Sequence, residues 1–277
     1  MMNKILVPTD FSEVSENAIN YAIKLANSFS ATLVLLHVNQ IPVSNPEFGI
    51  IAYDIHTMKE ESMKSLKELS EQIKKQYPLI SEIQYYSEIG NPSDVILELT
   101  KNKNIDLLVM GNNGHGSKFK KTLIGSTSVS VSKEIEIPLI IVPPNVKYKK
   151  IKNLAYACAY DEDIEKTTSL IKVRNLNKIF DSVLSVLHII PENHLLNEEE
   201  SYVDNYVETK LATTDHRTYI ITENKISEGI INFIDNHKID MIIVEPKKHS
   251  LFYSLFHSSV TNDLAFLSPV PVLTIHS

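Results

Sequence analysis

Glycine is scarce in this chain, with seven among 277 residues, where about 7% is usual. Four of the seven, Gly111, Gly114, Gly116 and Gly125, fall within fifteen residues. The stretch reads Gly111-Asn-Asn-Gly114-His-Gly116-Ser-Lys-Phe-Lys-Lys-Thr-Leu-Ile-Gly125-Ser126-Thr127. Glycine lets a backbone approach a ligand closely. Successive N–H groups in such turns form an anion-binding concavity. A helix expected to start near Ser126 adds free N–H groups and the positive end of its dipole. The Ser126 and Thr127 hydroxyls can donate to phosphate oxygens, and Lys118, Lys120 and Lys121 put positive charge nearby. This chemistry suits a di- or triphosphate. The competing reading is a helix cap beside solvated lysines.

Two better-known phosphate loops fit poorly. Gly111-x4-Gly116-Ser117-Lys118 nearly scans as G-x-x-x-x-G-K-[ST], but Ser117 stands where Lys is required. No G-x-G-x-x-G follows the first strand candidate, so a dinucleotide site of that kind is not expected. G-x-S-x-G and H-E-x-x-H are absent as well. Phosphoryl transfer needs a placed base and metal-holding carboxylates. Asp10 is the one first-half acid that can be set at a ligand crevice. No catalytic residue is therefore assigned, and weak hydrolysis of a bound triphosphate is the most that is expected. No metal-ligand set is assigned either, since His249 and His257 beside Glu245 lack compact ligand spacing.

The elements that must position the loop follow an alternating plan. Apolar runs mark strands at 4–8, 32–38, 82–87, 106–110 and 139–142. Amphipathic stretches mark helices at 13–29, 56–76, 93–103 and 126–135. Ala18, Ala22, Leu25, Ala26 and Phe29 form one helical stripe. Ser12 suits the cap of that helix, with Glu13 and Glu16 at its positive end. Runs such as Leu139-Ile-Ile-Val142 are continuously apolar, as strands covered on both faces are. Alternation of strand and helix argues a parallel sheet with helices on both sides. Ligands in such sheets bind outside the carboxyl ends of the strands.

The plan occurs twice. Residues 89–111 match 223–245 without a gap, Ile105-Asp106 opposite Ile239-Asp240. Leu36-His37-Val38 resembles Leu187-His188-Ile189, and Pro138–Val142 resembles Pro271–Ile275. Second-half strands are expected near 153–158, 183–189, 217–222, 240–244 and 271–275. Two domains follow, residues 1–146 and 147–277, with Pro143-Pro144 punctuating the junction. Aligning Lys4 with Lys152 sets Cys158 opposite Asp10 and leaves Glu245 opposite Gly111.

Composition narrows the setting. One cysteine excludes a disulfide framework or a cysteine metal cluster. A net charge of −7 argues against general nucleic-acid binding. No apolar run reaches the ~20 residues of a membrane span. The opening MMNKILVPTDFSE turns acidic too early for a secretory leader. A cytoplasmic protein is expected.

Taken in order, the pieces resemble the universal stress protein family in a tandem two-domain form. Ile5-Leu-Val-Pro8-Thr9-Asp10 is similar to the family's first strand and base-binding turn. Leu35-Leu-His-Val38 is similar to its second strand, and Met110-Gly111 through Gly125-Ser126 to its G-x2-G-x9-G-[ST] phosphate motif. The resemblance implies two tandem α/β domains of the adenine-nucleotide alpha-hydrolase-like, Rossmann-like class. Each would hold a five-stranded, mainly parallel sheet flanked by helices. It implies a regulatory, ATP-binding stress protein, with or without Mg2+, whose partners are an adenine nucleotide and an unidentified protein. It also implies pairing of the two domains into an intramolecular pseudo-dimer through 139–142 and 271–275, with a further homodimer possible in principle. Carried over, Asp10 and Val38 contact the nucleoside, and Pro8 and Thr9 shape the turn. Met110, Gly111, Gly114, Gly116, Gly125, Ser126 and Thr127 surround ribose and phosphates. Ten residues, not nine, separate Gly114 from Gly125, so Gly116 or Gly114 fills the phosphate turn. The residues alone leave other readings open: Asp10 as a helix cap, Val38 as core. The second half, with Glu245 and no glycine after it until the chain ends, is not expected to bind ATP. An interaction module without nucleotide is the alternative function.

Overall fold

The computed structural model describes residues 2–41, 54–112, 126–158, 168–190, 192, 198–245 and 268–276. These residues gather into two compact units. One comprises residues 2–111 and 126–137; the other takes in Asn112 and the chain from Pro138 onward.

The first unit carries strands β1 (Lys4–Pro8), β2 (Thr32–Asn39), β3 (Ile83–Ile89) and β4 (Leu107–Gly111) in the order β3-β2-β1-β4. All three ladders are parallel. Leu6, Val34 and Leu108 are fully buried, which is why these strands read as unbroken apolar runs. Helix α1 (Glu13–Phe29) begins at an extended Ser12, whose Oγ accepts the Ser15 N–H at 3.3 Å. It ends where Ser30 turns left-handed at φ 52°. Its buried face includes Ala18, Ala22, Leu25 and Ala26 of the stripe expected from the sequence, while Phe29 at its end is half-buried. Helix α2 (Ile55–Gln76) buries Leu66 and Ile73. It is tied to the sheet by Asn39, whose Nδ2 donates to Ser62 Oγ at 3.1 Å and Ser87 Oγ at 2.9 Å. Helix α3 (Pro92–Asn102) starts on an Asn91 cap with Pro at its first turn, where a missing N–H costs nothing. Helix α4 (Ser126–Glu134) follows the glycine stretch.

The second unit orders its strands β5-β10-β9-β6-β7-β8. They are β5 (Leu139–Val142), β6 (Asn153–Ala157), β7 (Val183–Ile190), β8 (His216–Thr222), β9 (Met241–Val244) and β10 (Val272–Thr274). All neighbours run parallel except β5 and β10, whose ladder is antiparallel with Leu273 opposite Ile140. Helices α5 (Ser169–Phe180), α6 (Glu198–Leu211) and α7 (Ile226–His237) complete it. Ile230, Phe233 and Ile234 of α7 pack on a core with Ile242, Val244 and Val272. The expected class holds: tandem Rossmann-like α/β units with mostly parallel sheets and flanking helices. Among the described residues no helix is long and apolar enough to cross a membrane.

One clamp is built twice. Asp106 Oδ2 accepts the N–H groups of Asn3 and Lys4 at 2.8 and 2.9 Å. Asp240 Oδ2 accepts those of Lys152 and Asn153 at the same two distances. Each clamp fastens the amino end of one strand to the start of its neighbour. Asp240 also meets Lys149 Nζ at 2.7 Å.

Candidate functional site

The carboxyl ends of β2, β1 and β4 lie side by side in the first unit. Pro8 closes β1 in register with Leu36. The Thr9 N–H then donates to the Leu36 carbonyl at 2.7 Å, carrying the strand one residue further. Thr9 is buried and its hydroxyl lies 3.0 Å from Ser15 Oγ, in the first turn of α1. The Phe11 N–H donates to Thr9 Oγ1 at 3.0 Å. His37, from β2, closes the turn from the other side, its Nδ1 donating to the Thr9 carbonyl at 2.8 Å. Thr9 is thus held by four hydrogen bonds at three atoms, which fixes the turn that presents Asp10.

Asp10 is exposed at the head of this turn. Its Oδ1 accepts the Ser12 hydroxyl at 2.5 Å and the Ser12 N–H at 3.1 Å. Partial burial would raise its carboxyl. Hydrogen bonds from Ser12, with Ser15 behind it, outweigh that and hold it below the usual carboxylate range. It is a fixed anion beside the start of α1, where the helix dipole favours one. The helix-cap reading of Asp10 is therefore part of the geometry, but Ser12 is the residue at the cap position itself.

Val38 is half-buried near the end of β2, opposite Glu88 of β3. Met110 is buried and Gly111 ends β4. A Cβ on Gly111 would meet the Val14 backbone of α1, so this glycine is required by packing whether or not a ligand is present. Ser126 and Thr127 open α4, and Thr127 is half-buried. Gly114, Gly116 and Gly125 lie outside the described residues, as do Lys118, Lys120 and Lys121. Sequence reasoning passed over Phe11, Ser15 and the ring of His37. The repeated Leu-His-Val pattern was the available signal for His37; nothing in sequence marked Phe11 or Ser15.

The corresponding end of the second unit differs. The Cys158 N–H donates to the Leu187 carbonyl at 2.8 Å, and His188 Nδ1 donates to the Cys158 carbonyl at 3.1 Å. These are the bonds that Thr9 makes with Leu36 and His37. Cys158 is therefore the counterpart of Thr9, not of Asp10, and the alignment on Lys4 and Lys152 is one residue out. The clamps agree: Lys4 matches Asn153. Glu245 does stand where Gly111 stands, one residue past β9's Val244. It is 4% exposed, with Oε2 accepting from Tyr156 Oη at 3.4 Å and Oε1 unpartnered among the described residues. No cluster of three or more metal-ligating side chains occurs among the described residues.

The sequence profile of the universal stress protein family matches residues 1–143 and again 158–276. Universal stress protein MJ0531 of Methanocaldococcus jannaschii is 29% identical over 146 residues, 51% of this chain and 82% of that protein. YxiE of Bacillus subtilis, another universal stress protein, is 31% identical over 151 residues, 51% of this chain and 99% of its own length. Among solved structures, a universal stress protein from Archaeoglobus fulgidus covers 100% of this chain and 97% of itself, with a TM-score of 0.74 at 19% identity. That last likeness is one of fold.

Proposed function

Since the chain belongs to the universal stress protein family, we propose that it is a regulatory nucleotide-binding protein with one ATP site, in its first half. The observation that carries this reading is the contrast between the two strand-end crevices. In the first, Thr9 anchors the turn, Asp10 stands exposed at its head, and Gly111 leaves the end of β4 without a side chain. In the second, Cys158 replaces Thr9 and the Glu245 carboxylate fills the place of Gly111. A carboxylate there repels phosphate; a bare backbone admits it. Asp10 and Val38 would meet the nucleoside, with Pro8 and Thr9 behind them. Met110, Gly111, Gly114, Gly116, Gly125, Ser126 and Thr127 would surround ribose and phosphates. Mg2+ would accompany the triphosphate, not a protein cage. The second half serves as a built-in partner, a role supported by the β5–β10 ladder between segments from the two halves of the sequence.

A second reading has one observation in its favour. Gly111 is explained by its contact with Val14 alone, so it would persist in an interaction module that binds no nucleotide. The deciding experiment is to purify the protein without added nucleotide, denature it and count released ATP, ADP and AMP. Calorimetric titration with Mg-ATP accompanies the count. About one adenine nucleotide per chain is expected, bound or bindable. None released and no heat of binding would leave the interaction module. Two per chain would restore the second half as a site.

A further inference from the structure

Phe11 is a large apolar residue that is 46% exposed, and its backbone is left-handed at φ 60°. A bulky side chain at such an angle is an outlier, and Asn or Gly would occupy it at less cost. Strain of this kind persists where surroundings enforce it and tends to mark functional sites. Here the surroundings are explicit: the N–H of Phe11 is held by Thr9 Oγ1, and its two neighbours, Asp10 and Ser12, bond to one another. The ring does not escape into the core. It lies 4.8 Å from the His37 ring, tilted by 32°, and His37 is itself pinned to the Thr9 carbonyl. The result is a pair of rings near the carboxyl ends of β1 and β2, one pinned to the turn and the other partly exposed. It adjoins Asp10 and precedes Val38 by one residue.

We propose that Phe11 is the stacking platform for the base of the bound nucleotide, with His37 the ring that backs it. The inference rests on the reading of this crevice as a nucleotide site and deepens it. Stacking reads the π-face of a base and not its hydrogen-bonding edge. Phe11 therefore selects purine over pyrimidine by ring area, and leaves discrimination between purines to other groups.

The test is calorimetric titration of wild type, Phe11→Asn and Phe11→Tyr with ATP, CTP and inorganic tripolyphosphate, each with Mg2+. Melting temperatures are measured alongside. Phe11→Asn relieves the backbone and removes the ring. ATP affinity is expected to fall about tenfold, tripolyphosphate to be unaffected, and the melting temperature to hold or rise. Phe11→Tyr is expected to bind ATP as wild type does, and wild type to prefer ATP to CTP. Unchanged ATP affinity in Phe11→Asn overturns the platform while leaving the nucleotide site intact. An equal loss for ATP and tripolyphosphate, or a collapse in melting temperature, makes Phe11 a structural residue. If wild type binds neither ATP nor tripolyphosphate, the nucleotide reading fails and the platform fails with it.

Discussion

Gly111 lies so close to Val14 that a Cβ on it would stand 2.6 Å from the Val14 carbonyl oxygen and 2.9 Å from its Cγ1. The first turn of α1 thus rests on the bare end of β4. A backbone carbonyl in a capped helix cannot move aside as a flexible side chain can. Gly111→Ala is expected to destabilise the protein by about 1–3 kcal/mol, the usual cost of overpacking. The urea midpoint should fall with no nucleotide present and with an unchanged m-value. An unaltered midpoint would mean that α1 shifts freely, and the glycine would then need a ligand to explain it.

Asp10 makes an acid-side prediction. Its folded-state pKa lies below the unfolded value of about 3.9. Its contribution is therefore present above about pH 4 and lost as pH falls through the lowered native value. Because Asp10 is exposed, screening keeps the effect small. Melting curves of wild type and Asp10→Asn should differ most at neutral pH and converge as pH falls through that lowered value. Asp10→Ala should also weaken ATP binding at neutral pH by about tenfold or more, as loss of a charged contact does. A variant with wild-type affinity would take Asp10 out of the proposed site.

The duplicated clamp allows an internal comparison. Asp240 is more buried than Asp106 and adds the Lys149 contact. Burial raises its carboxyl, but bonds from Lys149, Asn153 and Lys152 prevail and lower it. Removing it strands two strand-end N–H groups. Asp240→Ala is expected to cost about 2–3 kcal/mol, and Asp106→Ala less. As with Asp10, the stabilisation belongs to pH above about 4 and fades below it. Urea titrations of both variants at neutral pH check the ranking; the reverse order would show that Lys149 and burial add nothing.

Glu245 predicts a gain. One carboxylate oxygen is buried without a partner among the described residues, and the other has a single long bond. Burying an acid so poorly satisfied is costly. Glu245→Gln keeps an oxygen for Tyr156 and removes the ionisable group. It is expected to raise stability by about 1 kcal/mol at neutral pH, read from the urea midpoint. A loss of stability would show that Glu245 is balanced by a charge beyond the described residues.

The architecture was legible where burial on both faces leaves no alternative to an apolar run. Lys4–Pro8, Leu139–Val142 and Glu13–Phe29 begin and end where pattern and capping residues put them. β3, with half-buried positions through most of its length, starts and ends a residue or two from expectation because its pattern is weaker. The repeat was legible from Ile105-Asp106 and Ile239-Asp240. The register of β6 was not. Lys4 and Lys152 are identical in type yet one residue out of step, since register is set by ladder bonds such as Cys158 to Leu187. Sequence types pointed to Asp10, Pro8 and Gly111, but gave no hint that Phe11 would be left-handed. That angle follows from local side-chain bonds, from the Phe11 N–H to Thr9 and between Asp10 and Ser12, not from the preferences of phenylalanine.

The two clamps sit at the amino ends of the strands, whereas the exchanges of Thr9 for Cys158 and of Gly111 for Glu245 sit at the carboxyl ends. The second half thus keeps the footing of the first and carries different side chains at the opposite strand ends. For an engineer, the same separation makes the Cys158–Glu245 end a plot that can be cleared and replanted. New ligands can be tried there without touching the footing that Asp240 provides.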